Sequence, residues 1–294
     1  MNPPVVSLPR LTQARAPLTC AIEALDEHGQ PCALSIPAER PLTIYVDKQE
    51  LITLMTLGAY PEWLVLGYLR NQRLFETPGQ IESITVDWDA GDAGAGVAAV
   101  KTQGNPPTWQ DRTQTRIVTT GCGQGSMFGC AMQDLAQHVL PDTRLTQDRL
   151  YAVLARMREQ ASTYKSAGSV HGCALFEGTD LRLFVEDVGR HNAIDTIAGW
   201  LWLQAPKDPP ADPLLYTTGR LTSEMVLKAA QLSVPLVVSR SGITQMGFEM
   251  AQSLGVCTVG RATNRHFYCY TARQRFVSQP ALAAAPRPSP PGAG

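Results

Sequence analysis

The chain has no C-x-x-C pair, no long apolar run and no excess of either charge, and each absence removes a class of protein. Its seven cysteines (Cys20, Cys32, Cys122, Cys130, Cys173, Cys257 and Cys269) are odd in number and scattered. That argues against a disulfide framework and against a zinc ribbon or knuckle. No apolar stretch approaches the length of a membrane span. Formal net charge is −1, so no global field draws nucleic acid or an acidic membrane. The start, Met1-Asn2-Pro3-Pro4, lacks the charged region and apolar core of a secretory signal, and a cytoplasmic protein is the expectation. Three signatures are missing too: G-x-x-x-x-G-K-[ST], G-x-G-x-x-G after a strand, and H-x-E with P-C-x-x-C.

What remains is an ordinary globular composition, 44% hydrophobic and 17% charged over 294 residues, enough for one or two domains. Residues 1–17 carry no sustained apolar period, and 279–294 are Pro/Ala-rich. Both ends are expected to be disordered. Between them, residues 18–114 read as a smaller strand-rich portion. Leu42–Asp47 and Ile84–Trp88 alternate as half-buried strands, and Pro61–Leu69 reads as a helix with proline in its first turn. Residues 90–114 read as a hairpin tip or loop, and 148–160 as a helix capped by Asp148. The larger portion, 115–278, alternates. Strands at 172–176 and 181–185 are joined by a Glu177–Asp180 turn, and a helix follows over 192–204. Then strands at 213–218, 236–239 and 257–260 alternate with helices at 223–232 and 245–254. That order implies right-handed crossovers and a mostly parallel sheet.

Three groups of residues carry candidate chemistry. In Thr119-Thr120-Gly121-Cys122-Gly123-Gln124-Gly125, a single thiol stands between glycines after a β-branched run. It is either a buried cysteine in a Gly-rich turn or an accessible, reactive one. The second group follows from the sheet, since ligands of open parallel sheets bind beyond the carboxyl ends of the strands. Here each end carries an arginine: Arg220, Arg240 and Arg261. Three guanidiniums on one rim suit a phosphate-bearing ligand, unless Glu186, Asp187, Glu224 or Glu249 pairs with them. The third is Glu186-Asp187-Val188-Gly189-Arg190-His191-Asn192, at a strand-to-helix turn. Asp187 and His191 shape a ligand site there, or the cluster is a structural ion-pair network. His171 reads as a satisfied, buried histidine.

Four segments together resemble the formate dehydrogenase accessory sulfurtransferase family (FdhD): 168–174 (GSVHGCA), 186–193 (EDVGRHNA), 219–224 (GRLTSE) and 265–271 (RHFYCYT). The resemblance spans about Arg40 to Thr271. It implies a cytidine-deaminase-like α/β core with a smaller N-terminal portion, assembled as a homodimer. It also implies a cysteine that takes sulfur from a cysteine desulfurase as a persulfide. That sulfur passes to the molybdenum cofactor in its bis-molybdopterin guanine dinucleotide form, for formate dehydrogenase. In family terms the guanine nucleotide end lies near His266, Phe267, Tyr268, Cys269, Tyr270 and Thr271. The family's usual C-x-x-C is reduced here: Cys122 matches the first cysteine, Gly125 holds the second position, and Cys130 lies eight residues on. Cys122 alone is therefore carried over as the persulfide site, with no metal of the protein's own. The alternatives are a non-catalytic carrier or chaperone of the cofactor, which would not need Cys122, and a deaminase-fold hydrolase, which would need a metal.

Overall fold

The computed structural model describes residues 8–91, 95–104, 139–204 and 210–283, together with the backbone of 117–118 and 125–126. The first portion opens with β1 (Arg10–Leu11), β2 (Thr19–Leu25), β3 (Pro31–Pro37), β4 (Arg40–Val46) and β5 (Gln49–Thr56). Helix α1 (Pro61–Asn71), β6 (Ile81–Asp87) and β7 (Gly96–Thr102) complete it. Five of these strands form a sheet in the order β1-β6-β7-β4-β5. Leu42, Ile44, Ile84 and Ala98 face inward at alternate positions and meet Leu64, Val65 and Leu69 of α1. The β2–β3 hairpin stays outside that sheet and leaves Ile22, Leu25 and Leu34 exposed.

Two short strands, β8 (Ile117–Val118) and β9 (Gly125–Ser126), pair antiparallel. The larger portion runs through β10 (Leu145–Thr146), α2 (Gln147–Glu159), α3 (Thr163–Ala167), β11 (His171–Glu177) and β12 (Asp180–Asp187). It continues with α4 (Arg190–Gln204), β13 (Pro213–Thr217), α5 (Ser223–Gln231), β14 (Leu236–Ser239) and α6 (Gln245–Leu254). Strands β15 (Cys257–Thr263), β16 (His266–Cys269) and β17 (Phe276–Val277) close it. The main sheet is ordered β12-β11-β13-β14-β15-β16. Strand parity divides its core: Cys173, Leu175 and Val237 face α4, α5 and α6, while Ala174, Phe176 and Val238 face α2.

This sheet is mixed, not mostly parallel. Only β13–β14 and β14–β15 are parallel, while β11 reverses against both neighbours and β16 folds back on β15. Helical crossovers force the parallel pairs; the tight turns at Gly178 and Asn264, both at positive φ, force the antiparallel ones. Four further expectations change. Residues 10–17 are ordered, because β1 adds to β6 and buried Glu62 accepts from Thr12 Oγ1 (2.7 Å) and the Ala14 amide (2.9 Å). Residues 90–114 contain β7, whose small residues hide its strand period. At the other end, Gln279 donates its amide to Gln147 Oε1 (2.8 Å) and accepts from the Asp148 amide (2.9 Å), and Pro280–Leu282 makes a 3-10 turn. The cap position of α2 is Thr146, with Asp148 inside the first turn.

The two portions meet where α1 crosses α4 without intervening side chains. A Cβ on Gly67 would fall 1.6 Å from the Asp195 carbonyl oxygen, and one on Gly199 would fall 1.9 Å from that of Trp63. Only glycine fits this backbone contact.

Candidate functional site

The carboxyl ends of β12, β13, β14 and β15, with the start of β11, share one edge of the main sheet. Hydroxyl groups tie it together. Thr217 Oγ1 accepts from the Gly219 amide (3.1 Å), Thr218 Oγ1 accepts from the Gly172 amide (3.0 Å), and Ser239 Oγ donates to the Gly219 carbonyl (2.6 Å). The Ser241 carbonyl in turn accepts from the amide of Arg261, a residue at φ 48°. These bonds hold the loops that carry Arg220, Arg240 and Arg261 and leave all three side chains exposed.

The acids that would neutralise the rim are occupied elsewhere. Glu186 accepts from the Thr163 (2.5 Å) and Tyr164 (3.2 Å) amides. Asp187 accepts from Thr56 Oγ1 (2.5 Å), the Leu57 amide (3.2 Å), the Gly189 amide (3.1 Å) and Asn192 Nδ2 (2.9 Å). Burial pushes the Asp187 carboxyl up and those donors pull it down. It bolts the turn before α4 to the first sheet. Glu249 accepts from Gln245 Nε2 (3.0 Å). Among the described residues, none of the three rim arginines forms an ion pair.

The rim arginines serve different surroundings. Arg240 reaches a cavity of about 500 Å³ between the sheet and α2–α3, where Leu154, Met157 and Phe184 supply apolar wall and Tyr216, Thr218 and Asn264 supply polar points. Burial pushes the Tyr216 phenol up to about 12, against the pull of Arg240, so it stays protonated and able to donate. Such a mixture suits a flat, partly polar ring next to an anion. Arg220 lies instead near His171, whose imidazole is held below its ordinary value by burial, then by Arg190 and Arg220.

His191 is buried and neutral. Burial, then Lys228, Arg190 and His171, bring it down to about 2. Its Nε2 stands 3.3 Å from Glu224 Oε2, within a buried chain in which Lys228 Nζ contacts Glu224 Oε1 (3.3 Å) and Asp195 Oδ2 (2.9 Å). Asn71 Nδ2 donates to the other Asp195 oxygen (2.7 Å). This chain spans α1, α4 and α5.

Strand parity also splits the 266–271 stretch. Phe267 packs against Phe276, Cys269 against Cys257, and Thr271 bonds Thr258 Oγ1 (2.6 Å) and the Val256 carbonyl (2.7 Å). Contact with Cys257 draws the Cys269 thiol down and the Cys257 thiol up. On the other file, His266 meets Tyr268 edge-on (4.9 Å between centroids) and Tyr268 stacks near Tyr270 (6.3 Å). None of the six lines the cavity; the adjoining turn residues Ala262, Thr263 and Asn264 do. Cys122 and Cys130 lie outside the described residues, although β8 and β9 pair on either side of 119–124. Among the described residues, no three His, Cys, Asp or Glu side chains gather as metal ligands would, and no helix is long and apolar enough to cross a membrane.

The FdhD/NarQ family model matches residues 37–277, most of the chain and the whole of this sheet edge. The chain belongs to the FdhD/NarQ family. A sulfur carrier protein FdhD from Bacillus licheniformis is 31% identical over 240 residues, 81% of this chain and 88% of the relative. One from Bacillus subtilis is 29% identical over 241 residues, with the same coverage. A crystal structure from Desulfotalea psychrophila, described as a formate dehydrogenase accessory protein, matches with a TM-score of 0.68 at 23% identity. It covers 89% of this chain and all of that one, and so shares the fold.

Sequence reasoning singled out neither Tyr216 nor Asn264, and it left Arg190 inside the 186–192 cluster without a role of its own. Arg190 did carry a signal: it begins a long helix, where cations are disfavoured. Tyr216 sits inside an apolar strand, and nothing local shows that its face opens on a cavity.

Proposed function

We propose that this FdhD/NarQ protein is a sulfurtransferase acting on the molybdenum cofactor, with Cys122 as the carrier thiol. The membership that spans residues 37–277, and so includes Cys122, is the observation that supports it, together with relatives named sulfur carrier proteins. The Cys122 thiolate attacks the outer sulfur of a cysteine desulfurase persulfide, and the donor cysteine leaves as its thiolate. An electron pair on the cofactor then forms the next bond to that sulfur and releases the Cys122 thiolate. One thiol suffices for both steps, so Gly125 in place of a second cysteine is compatible with transfer. The cofactor, bis-molybdopterin guanine dinucleotide, is the bound substrate. Its guanine nucleotide end enters the cavity beside Tyr216, Thr218 and Arg240, with the 262–271 segment at its margin. The reading includes a cytoplasmic homodimer that hands the finished cofactor to formate dehydrogenase.

The test supplies the protein with a cysteine desulfurase and cysteine and maps added sulfur by peptide mass spectrometry. One sulfur atom on Cys122 is expected, together with loss of formate dehydrogenase activity in cells carrying Cys122→Ala. Sulfur on Cys130 alone would move the carrier residue. Full activity with Cys122→Ala would leave a cofactor carrier that does no sulfur chemistry.

A further inference from the structure

Among the five described cysteines, Cys257 and Cys269 touch one another. Strands β15 and β16 pair antiparallel with Val259 opposite Cys269. Cys257, two residues before Val259, therefore lies on the same face as Cys269 and diagonal to it. The Tyr270 amide donates to the Thr258 carbonyl (2.8 Å), which keeps the two chains together past the end of β16. The Cys257 thiol hydrogen-bonds the Cys269 sulfur. The other described cysteines are placed differently. Cys173 is buried against Thr217 Oγ1 (3.3 Å), and in the β2–β3 hairpin Cys20 stands opposite Ile36 and Cys32 opposite Ala24.

The two thiols are unequal. Cys257 is 0% exposed in the core on the α2 face, whereas Cys269 is half-buried on the edge strand. The hydrogen bond from Cys257, and with it the charge of Arg273 in the turn after β16, draw the Cys269 thiol below its ordinary value against the effect of burial. The same contact, then burial, push the Cys257 thiol up. An accessible sulfur with thiolate character beside a buried one that keeps its proton suits an attacking and a resolving cysteine.

We propose that Cys269 and Cys257 are a redox-modification site, a dithiol that hydrogen peroxide closes to an internal disulfide. The Cys269 thiolate attacks one peroxide oxygen. An S–O bond forms, the O–O bond breaks, and the leaving oxygen takes up the proton that Cys269 gave to solvent and departs as water. Cys269 is then a sulfenic acid, oxidised by two electrons. The Cys257 sulfur next attacks that sulfur, its proton passes to the departing hydroxyl, and a second water leaves as the S–S bond forms. Two thiols and one peroxide thus give one disulfide and two waters. Where thiols are kept reduced, a disulfide of this kind is transient and redox-sensing. The bond fastens β16, a strand of 4 residues at the edge of the sheet, to β15. These strands enclose the turn at Ala262, Thr263 and Asn264 that lines the cavity of about 500 Å³, so oxidation acts on the margin of that cavity. The reaction uses neither Cys122 nor sulfur transfer.

The test takes the full chain carrying Cys122→Ala and Cys130→Ala, reduces it, exposes it to hydrogen peroxide, alkylates it and maps its peptides by mass spectrometry without reduction. A Cys257–Cys269 linked peptide, lighter by two hydrogens than the reduced pair, is expected in most chains, and dithiothreitol should reverse it. Cys257→Ser should stop the reaction at a Cys269 sulfenic acid that dimedone captures, and Cys269→Ser should leave Cys257 unmodified. No linked peptide at peroxide levels that oxidise methionine overturns the proposal. So does a link that forms only after denaturation, or equal dimedone capture at the two cysteines in the two serine variants. If either serine variant fails to fold, the linked peptide from the unsubstituted pair decides alone. Because Cys122 is absent from the tested chain, failure of the sulfur assay and failure of this site remain distinguishable.

Discussion

Arg190 and His191 occupy the first turn of α4, and Asp195 lies about one turn further along, equally buried. Asp195 is satisfied on both oxygens, by Asn71 Nδ2 and Lys228 Nζ, and Lys228 in turn meets Glu224. Among the described residues, Arg190 has neither a carboxylate nor a partner for its Nε. The inner cluster joins three helices and needs nothing from outside. The outer one is open at the sheet edge. Burial alone therefore does not settle how a charge is satisfied; which groups fold in beside it does.

The largest effect on this comparison should come from breaking the inner cluster. Lys228→Met leaves Asp195 and Glu224 as buried carboxylates without their cation. Denaturant unfolding should show a loss of about 3–5 kcal/mol. Adding Asp195→Asn to the same chain should restore part of it, because one of the two uncompensated charges goes with it. No recovery in the double variant would mean that packing, rather than charge pairing, governs this seam.

Next in size is the backbone contact beside Asp195. Gly199→Ala places a methyl where the Trp63 carbonyl stands, and α1 and α4 must separate to admit it. A loss of about 3 kcal/mol, the upper end of overpacking costs, is expected by thermal or chemical unfolding. An unaltered midpoint would show that the helices slide apart freely.

The smallest effect is a pH dependence at His191, where the two clusters adjoin. His191 is held near 2 in the folded protein, against 6.5 when free. Its contribution to stability is therefore fully present above about pH 6.5 and declines as pH falls below that, since the unfolded chain takes up a proton that the folded one refuses. The slope approaches about 1.4 kcal/mol per pH unit for one such group. His171 is shifted in the same direction by burial and the two arginines, and adds to the slope. His191→Gln should flatten the profile between pH 6.5 and 4.5; an unchanged profile would assign the acid sensitivity to other groups.

Much of the larger portion was legible because its signals are local. Leu236–Ser239 and Gln245–Leu254 are bounded by turn residues and keep one period throughout, so their limits agree with the structure. Strand β7 was hidden because Gly96-Val97-Ala98-Ala99-Val100 contains residues too small to mark which face is buried. The arginines at the strand ends were visible from the order of elements alone. That Arg240 serves a cavity on one side while Arg220 lies near His171 on the other depends on how loops cross the edge, which no spacing records.

The sequence by itself determined the alternation of strand and helix, the arginine at the end of each crossover strand, and the motifs that mark the FdhD/NarQ family, because periodicity and turn chemistry act over a few residues. Only the tertiary structure decided that β11 and β16 reverse direction, that Asp187 is a bolt between two sheets, and that Arg190 is buried with no partner for its Nε among the described residues. Those outcomes depend on which distant groups arrive beside one another, as Thr56 does at Asp187 across 131 positions of chain. Electrostatic pairing is settled by distance in space, and sequence separation does not encode it.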